Sequence, residues 1–297
     1  MRSAGRGRVT EREMIATEAA AQSARREGEA GKNRVILLGV RGSIPVSGPS
    51  YARYGGASTC FLMQLGGESL LVDAGTGLLG LPAEFCALPR LPLFMTHPHV
   101  DHMMGLMMCP YVFSPGHTME IYCSERRGQD GSALFDTLFR PPLWPVGPAQ
   151  LPARIEFLPL HGEPFDLGNI RVETMEGVHP GGVTVFRFTG GGASVVVATD
   201  CTLTESLLPK LTDFARDCDL LLIDGQYSDT EWSVRRGFGH SSWNAAAAFG
   251  TECGAKKIRI IHHDPCHTDE DLDRAEAELK NRWPACAFGR EGEELIL

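Results

Sequence analysis

The sequence predicts an α+β fold in which two β-sheets pack face to face with helices on their outer sides. Apolar runs of strand length recur in two groups, each with helical segments of its own. Several of these runs stop at a His or Asp, as strands do where a site is built on one edge of a sheet. The 43% hydrophobic content of the 297 residues suffices to bury a full core, read here as one domain plus a tail.

Residues 1–33 carry more Lys and Arg than Asp and Glu and almost no large apolar side chains. They read as a flexible N-terminal tail, disordered or loosely helical over Thr10 to Glu27, with the domain occupying residues 34–297. Arg34 to Val40 is strand-like and Gly42 to Gly56 a Gly/Pro/Ser loop. Thr59 to Leu65 and Ser69 to Val72 form a hairpin closed by Gly66-Gly67. Leu91 to Met95 is a short buried strand, Met119 to Cys123 another, and Gly131 to Phe139 a short helix. The five prolines of Arg140 to Pro152 are too stiff for regular structure. That segment reads as a lid or contact loop, its Trp144 belonging either to the core or to a dimer surface. Strands follow at Arg154 to Leu158, Ile170 to Met175, Val183 to Thr189, Ser194 to Thr199, Leu220 to Ile223 and Ile258 to Ile261. One helix starts at Ser241 or Ser242 and ends at Gly254, and the last covers Asp269 to Leu279.

Composition narrows the function. A net charge of −9, with no basic stretch in the domain, argues against a protein that wraps long nucleic acid, yet leaves room for a small anion gripped by metals. Nine scattered cysteines without a C-x-x-C pair suit a reducing cytoplasm. No apolar stretch reaches membrane-spanning length, and the N-terminus lacks a signal core.

The chemistry concentrates in Thr96-His97-Pro98-His99-Val100-Asp101-His102. Alternate residues of an extended strand end point the same way, so His97 and His99 aim at one point, while Asp101 and His102 on the following turn face a second. Imidazole and carboxylate suit zinc, manganese or iron(II). His179, Asp200, Asp224 and His262 each stand just after an apolar strand and make up the number of ligands that two metals need. His117, His161 and His267 read as surface residues, and His263 points away from His262 if the strand continues.

These residues resemble the metallo-β-lactamase superfamily, and within it the phosphodiesterase branch that includes ribonuclease Z and phosphoribosyl cyclic phosphodiesterase-like proteins. Besides H-x-H-x-D-H, the resemblance runs in order through Gly39-Val-Arg-Gly-Ser-Ile-Pro-Val, Tyr54-Gly-Gly-Ala-Ser-Thr-Cys, Leu71-Val-Asp-Ala-Gly-Thr-Gly, Gly177-Val-His-Pro-Gly-Gly, Ala198-Thr-Asp, Asp224-Gly-Gln-Tyr, Gly239-His-Ser-Ser and Ile261-His-His-Asp-Pro. It implies an αββα sandwich of two mixed sheets flanked by helices. It also implies two divalent cations, zinc first with manganese or iron(II) as alternatives. One is held by His97, His99 and His179, the other by Asp101, His102 and His262, with Asp200 bridging. Asp73 orients ligands from behind. His240 matches the extra catalytic His of the branch, Asp224 stands where ribonuclease Z-like enzymes carry a Glu that orients it, and Asp101 doubles as proton acceptor.

The expected function is hydrolysis of a small phosphodiester such as a cyclic nucleotide or cyclic phosphoribosyl compound. Only 20 residues separate His179 from Asp200, leaving no room there for a ribonuclease Z-type arm. The alternatives are a hydrolase of the same fold for a thioester, lactone or lactam, a ribonuclease Z-like endoribonuclease, and a metal-stabilised nucleotide-binding sensory module. His240 speaks against the first, and tight binding of an unhydrolysed ligand would favour the last. The oligomeric state, homodimer included, stays open.

Overall fold

The computed structural model describes residues 33–297. The tail expected over residues 1–33 therefore lies outside the described residues, except for Asn33, whose side chain accepts from Gly66 N (3.0 Å) and donates to Gly191 O (2.8 Å). The strands are β1 Arg34–Gly39, β2 Cys60–Leu65, β3 Glu68–Val72, β4 Arg90–Phe94, β5 Thr118–Cys123, β6 Arg154–Pro159, β7 Phe165–Leu167, β8 Ile170–Gly177, β9 Val183–Gly190, β10 Ala193–Ala198, β11 Leu220–Asp224, β12 Lys257–Ile261, β13 Cys286–Phe288 and β14 Glu294–Ile296. The helices are α1 Ala83–Cys86, α2 Gly131–Leu138, α3 Leu208–Ala215, α4 Asp229–Arg235, α5 Trp243–Glu252 and α6 Asp269–Arg282.

Two seven-stranded mixed sheets result, in the orders β14-β1-β2-β3-β4-β5-β6 and β13-β12-β11-β10-β9-β8-β7. The expected sandwich is the one observed. Alternation along single strands builds it. Val195 and Val197 of β10 face the layer between the sheets, where they join Phe61, Phe94, Phe186 and Phe188. Val196 and Ala198 of the same strand face the outer layer, which Ala246 and Phe249 of α5 and Leu272 and Leu279 of α6 cover. Burial on both faces explains why Val195 to Ala198 of β10 read as an unbroken apolar run. In the middle layer Phe94 stacks on Tyr122 (centroids 4.6 Å apart) and meets Phe188 edge-on at 5.1 Å. Full burial of such a side chain contributes about 1.5–3 kcal/mol.

Strand direction positions the site. β3, β4, β5 and β6 run parallel, and so do β10, β11, β12 and β13; β8 and β10 are both antiparallel to β9 and share one direction. The carboxyl ends of β3, β4, β8, β10, β11 and β12 carry the polar residues singled out in the sequence. Three of those residues, Asp73 (φ +59°), Asp200 (+51°) and His262 (+64°), sit in the left-handed region that L residues seldom adopt. Such strained turns persist where the surrounding packing over-determines them.

Several expectations need correction. Arg140 to Pro152 includes a 3-10 turn over Pro148–Gln150, and its Trp144, Val146 and Leu151 pack on the outer core of the first sheet, Trp144 lying 5.9 Å from Phe139. His267 is buried rather than on the surface, held at 3.0 Å from Glu231 Oε1, and His117 is half-buried against Tyr111; of these three, His161 alone is exposed as expected. The helices α1, α3 and α4 and the strands β7, β13 and β14 were not expected. The capping box of α4, Ser228 with Glu231, was the available signal there. No helix among the described residues is long and apolar enough to cross a membrane.

Candidate metal centre

The turn Thr96 to His102 presents three imidazoles and a carboxylate, and the carboxyl ends of β8, β10, β11 and β12 bring the remaining groups to them. His97, His99 and His179 form one ligand-capable group; Asp101, His102 and His262 form another; Asp200 reaches both. Asp200 Oδ2 lies 3.1 Å from His102 Nε2. Its Oδ1 lies 3.1 Å from His262 Nε2, 3.7 Å from His97 Nε2 and 3.8 Å from His179 Nε2. Asp101 Oδ2 is 3.2 Å from His262 Nε2 and 3.3 Å from His102 Nε2.

Groups behind the imidazoles decide which nitrogen faces inward. His102 Nδ1–H donates to Asp73 Oδ2 (2.7 Å), and His179 Nδ1–H to Gly239 O (2.9 Å). The Thr96 hydroxyl gives its one proton to Asp73 Oδ2 (2.8 Å), so at His97 Nδ1 (3.1 Å) it must accept. Each neutral ring is thus left with an unprotonated Nε2 towards the centre, the arrangement that metal-ligating histidines need. Two of these atoms, His97 Nε2 and His102 Nε2, are buried without a hydrogen bond. His179 Nε2 and His99 Nδ1 face each other at 3.1 Å, which two lone pairs tolerate only with a proton or cation between them. The donor set of imidazole nitrogens and carboxylate oxygens fits borderline to hard divalent cations.

The electrostatics agree. Burial opposes charge on His102 and His262, but Asp101 and Asp200, joined by Asp73 for the first and Asp224 for the second, outweigh it. The His102 pKa lies well above its ordinary value, and that of His262 rises to about 9. Burial would likewise raise Asp200, yet His262, His102 and His97 hold it well below the usual carboxylate range. The same negative field that draws protons onto these rings attracts a divalent cation. Burial is the first cause of the lowered pKa of His97, His99 and His179, which favours neutral rings with free lone pairs.

His240 stands beside this centre, its ring 4.9 Å from that of His262 and 5.2 Å from that of His179. Its Nδ1–H donates to Asp224 Oδ2 at 2.7 Å, and Asp224 Oδ1 accepts from Ser241 N at 2.8 Å. The short Asp224 side chain therefore reaches His240. His263 is buried and turned away, bonded through Nε2 to Gly289 O at 2.8 Å.

Some positioning residues had no role assigned from sequence. Ser43 N donates to Asp101 Oδ2 at 2.9 Å, and Thr96 secures Asp73 through both its amide and its hydroxyl, each at 2.8 Å. Two glycines make room. A Cβ on Gly42 would lie 2.3 Å from His262 Nδ1, and one on Gly239 equally close to His179 Nδ1. The Gly residues of Arg41-Gly42-Ser43 and Gly239-His240 were the available signal.

The family model described as beta-lactamase superfamily domain matches residues 68–263. The probable metallo-hydrolase YhfI of Bacillus subtilis is 24% identical, with 77% of this chain and 86% of the relative covered. Its crystal structure superposes with a TM-score of 0.66 at 22% identity, covering 90% of this chain and all of that one. Ribonuclease Z of Bradyrhizobium diazoefficiens is also 24% identical, over 80% of this chain and 92% of its own length. A diphosphatase of the PhnP family shares the fold, with a TM-score of 0.64 at 16% identity over 90% of this chain and 97% of that one. With the family model spanning well over half of its length, the chain belongs to the beta-lactamase superfamily domain family, in its metallo-hydrolase fold.

Proposed function

We propose that the protein is a two-metal phosphodiesterase that hydrolyses a small phosphodiester such as a cyclic nucleotide or cyclic phosphoribosyl compound, with zinc as its metal. The observation that carries this reading is the His240–Asp224 pair, bonded at 2.7 Å and set against the rings of His179 and His262. A lactam or thioester hydrolase has no phosphate charge for such a pair to meet.

In this reading His97, His99 and His179 would hold one cation and Asp101, His102 and His262 the other, with Asp200 in reach of both groups. Divalent cations so placed supply Lewis acidity towards a phosphoryl oxygen and make water acidic near neutral pH. Asp101, steadied by the Ser43 amide, orients the attacking water and accepts its proton. Asp224 fixes the His240 tautomer, leaving Nε2 as the nitrogen that meets phosphate charge or protonates the leaving oxygen. The β9–β10 connection is the two-residue turn Gly191-Gly192, with no arm between His179 and Asp200, which supports a small substrate over folded RNA. Nine unpaired cysteines support a cytoplasmic location.

The test is a metal-stripped preparation reloaded with zinc or manganese and offered bis-p-nitrophenyl phosphate, cyclic nucleotides, precursor transfer RNA, nitrocefin and a thioester. Turnover of the small diesters, falling about 10²- to 10⁴-fold in His240→Ala, is the expected result. No diester hydrolysis, or an unchanged His240→Ala rate, defeats the reading; preference for the RNA would make it a ribonuclease, as the ribonuclease Z relative is named.

A further inference from the structure

Behind the turn that carries His240, a cavity of about 510 Å³ opens between α4 and the turn after it, the outer face of α5 and the end of α6. None of the candidate metal ligands lines it, so it is a place apart from the candidate metal centre. Its volume is that of a small-molecule site. Trp232 and Trp283 supply indole surface to its walls. Ala245 and Ala248 line it from exposed positions of α5, where a long polar side chain, the common occupant of an outer helix face, would fill the space.

Charge stands on this apolar wall in a prepared form. The Arg236 guanidinium lies over the Trp232 ring, 4.6 Å from its centroid, and that of Arg282 over the Trp283 ring at 4.4 Å. Stacking fixes a guanidinium through its face and leaves the N–H groups in its plane free to donate. Neither arginine has an ion-pair partner among the described residues. The carboxylate in the wall, Asp229, accepts from Asn244 Nδ2 at 2.7 Å, and the Ser233 and Ser241 hydroxyls donate to the carbonyls of Thr230 and Cys201. The two guanidinium groups are therefore the donors left for a guest, and they leave the cavity one positive charge in excess of Asp229.

We propose that this cavity is a second ligand site, for a small molecule that joins a planar aromatic ring to an anionic group. The ring lies against the indole and alanine surface, and the anion, carboxylate or phosphate, meets Arg236 and Arg282. Binding there does not depend on the reaction at the candidate metal centre.

Calorimetry on the zinc-loaded protein tests the site with two anions, 1-naphthoate and adenosine 5′-monophosphate. Their controls are 1-naphthamide and adenosine, which keep the ring without the charge, and acetate, which keeps the charge without the ring. At least one anion is expected to bind about tenfold or more tightly than its neutral counterpart and than acetate, and the tighter of the two shows whether carboxylate or phosphate is preferred. Arg282→Gln should weaken that binding about tenfold, Arg282→Lys should keep part of it, and Ala248→Leu should weaken it by filling the cavity. Arg282 and Ala248 are exposed, so these changes spare the core. Trp232 is left intact because its Nε1–H donates to the His240 carbonyl at 3.1 Å. Binding of neither anion, equal affinity for the neutral counterparts, or affinity unchanged in either Arg282→Gln or Ala248→Leu overturns the proposal; unchanged affinity in both would place the anion elsewhere, at the candidate metal centre first.

Discussion

Replacing Asp73 by Asn probes how the metal centre depends on a residue that does not touch the metal. Asp73 is fully buried; Oδ2 accepts from Thr96 Oγ1 (2.8 Å) and His102 Nδ1 (2.7 Å), and Oδ1 accepts from Thr96 N (2.8 Å). Asn matches it in size and tolerates the φ of +59°, so the change is electrostatic. Either orientation of the amide, however, turns its NH₂ towards an N–H donor. Facing Thr96 N costs about 1–3 kcal/mol, because a backbone amide cannot rearrange. Facing His102 is cheaper, since the ring can move its proton to Nε2, but the inward nitrogen then no longer ligates. Losses of this kind weaken metal binding about 10- to 100-fold. Zinc titration of the stripped protein against a chelating indicator should show one of two equivalents weakened by that factor, the group of His97, His99 and His179 being spared. Affinities equal to wild type for both equivalents would refute the reasoning.

Three further outcomes follow from the same contacts. Gly42→Ala brings a Cβ to 2.3 Å from His262 Nδ1, so metal analysis should find the centre depleted even where the variant folds. Arg41 is fully buried and donates to the carbonyls of Gly55, Asp264 and His267, tying the β1–β2 connection to the β12–α6 connection. Arg41→Met leaves those carbonyls unpaired and should cost about 3 kcal/mol, read as a melting temperature lowered by roughly 6–12 °C. Glu276 is buried, yet Arg290 and Lys280 outweigh burial and hold its pKa below the ordinary value. A depressed carboxyl stabilises the fold above its unfolded pKa, so this contribution is present at pH 7 and lost as pH falls below about 4. Glu276→Gln should therefore destabilise the protein in neutral denaturant titrations, with the difference closing in acid.

Much of this is legible in the amino-acid sequence alone. H-x-H-x-D-H, and the polar residues standing after Val195–Thr199, Leu220–Ile223 and Ile258–Ile261, pointed to a site on sheet edges, because strand runs and their ends are local features of the chain. The choice of His262 over His263 rested on resemblance, and the structure turns their side chains opposite ways. What escaped reading depends on distant partners. β14 is three residues long, with only Leu295 buried, and it exists because it pairs with β1 some 260 positions earlier. His267 resembled a surface residue because its neighbours are polar; Glu231 and Trp243, which enclose it, come from α4 and α5.

The sequence by itself determined the fold class, the two-sheet architecture and the residue types of the candidate metal centre, since periodicity and ligand clustering survive without tertiary information. Only the tertiary structure decided which imidazole nitrogen faces inward, whether Asp224 reaches His240, and that Arg236 and Arg282 share a cavity with Trp232 and Trp283. Those facts rest on hydrogen bonds and approaches between groups from different strands, and no local pattern specifies an angle or a distance across a folded core.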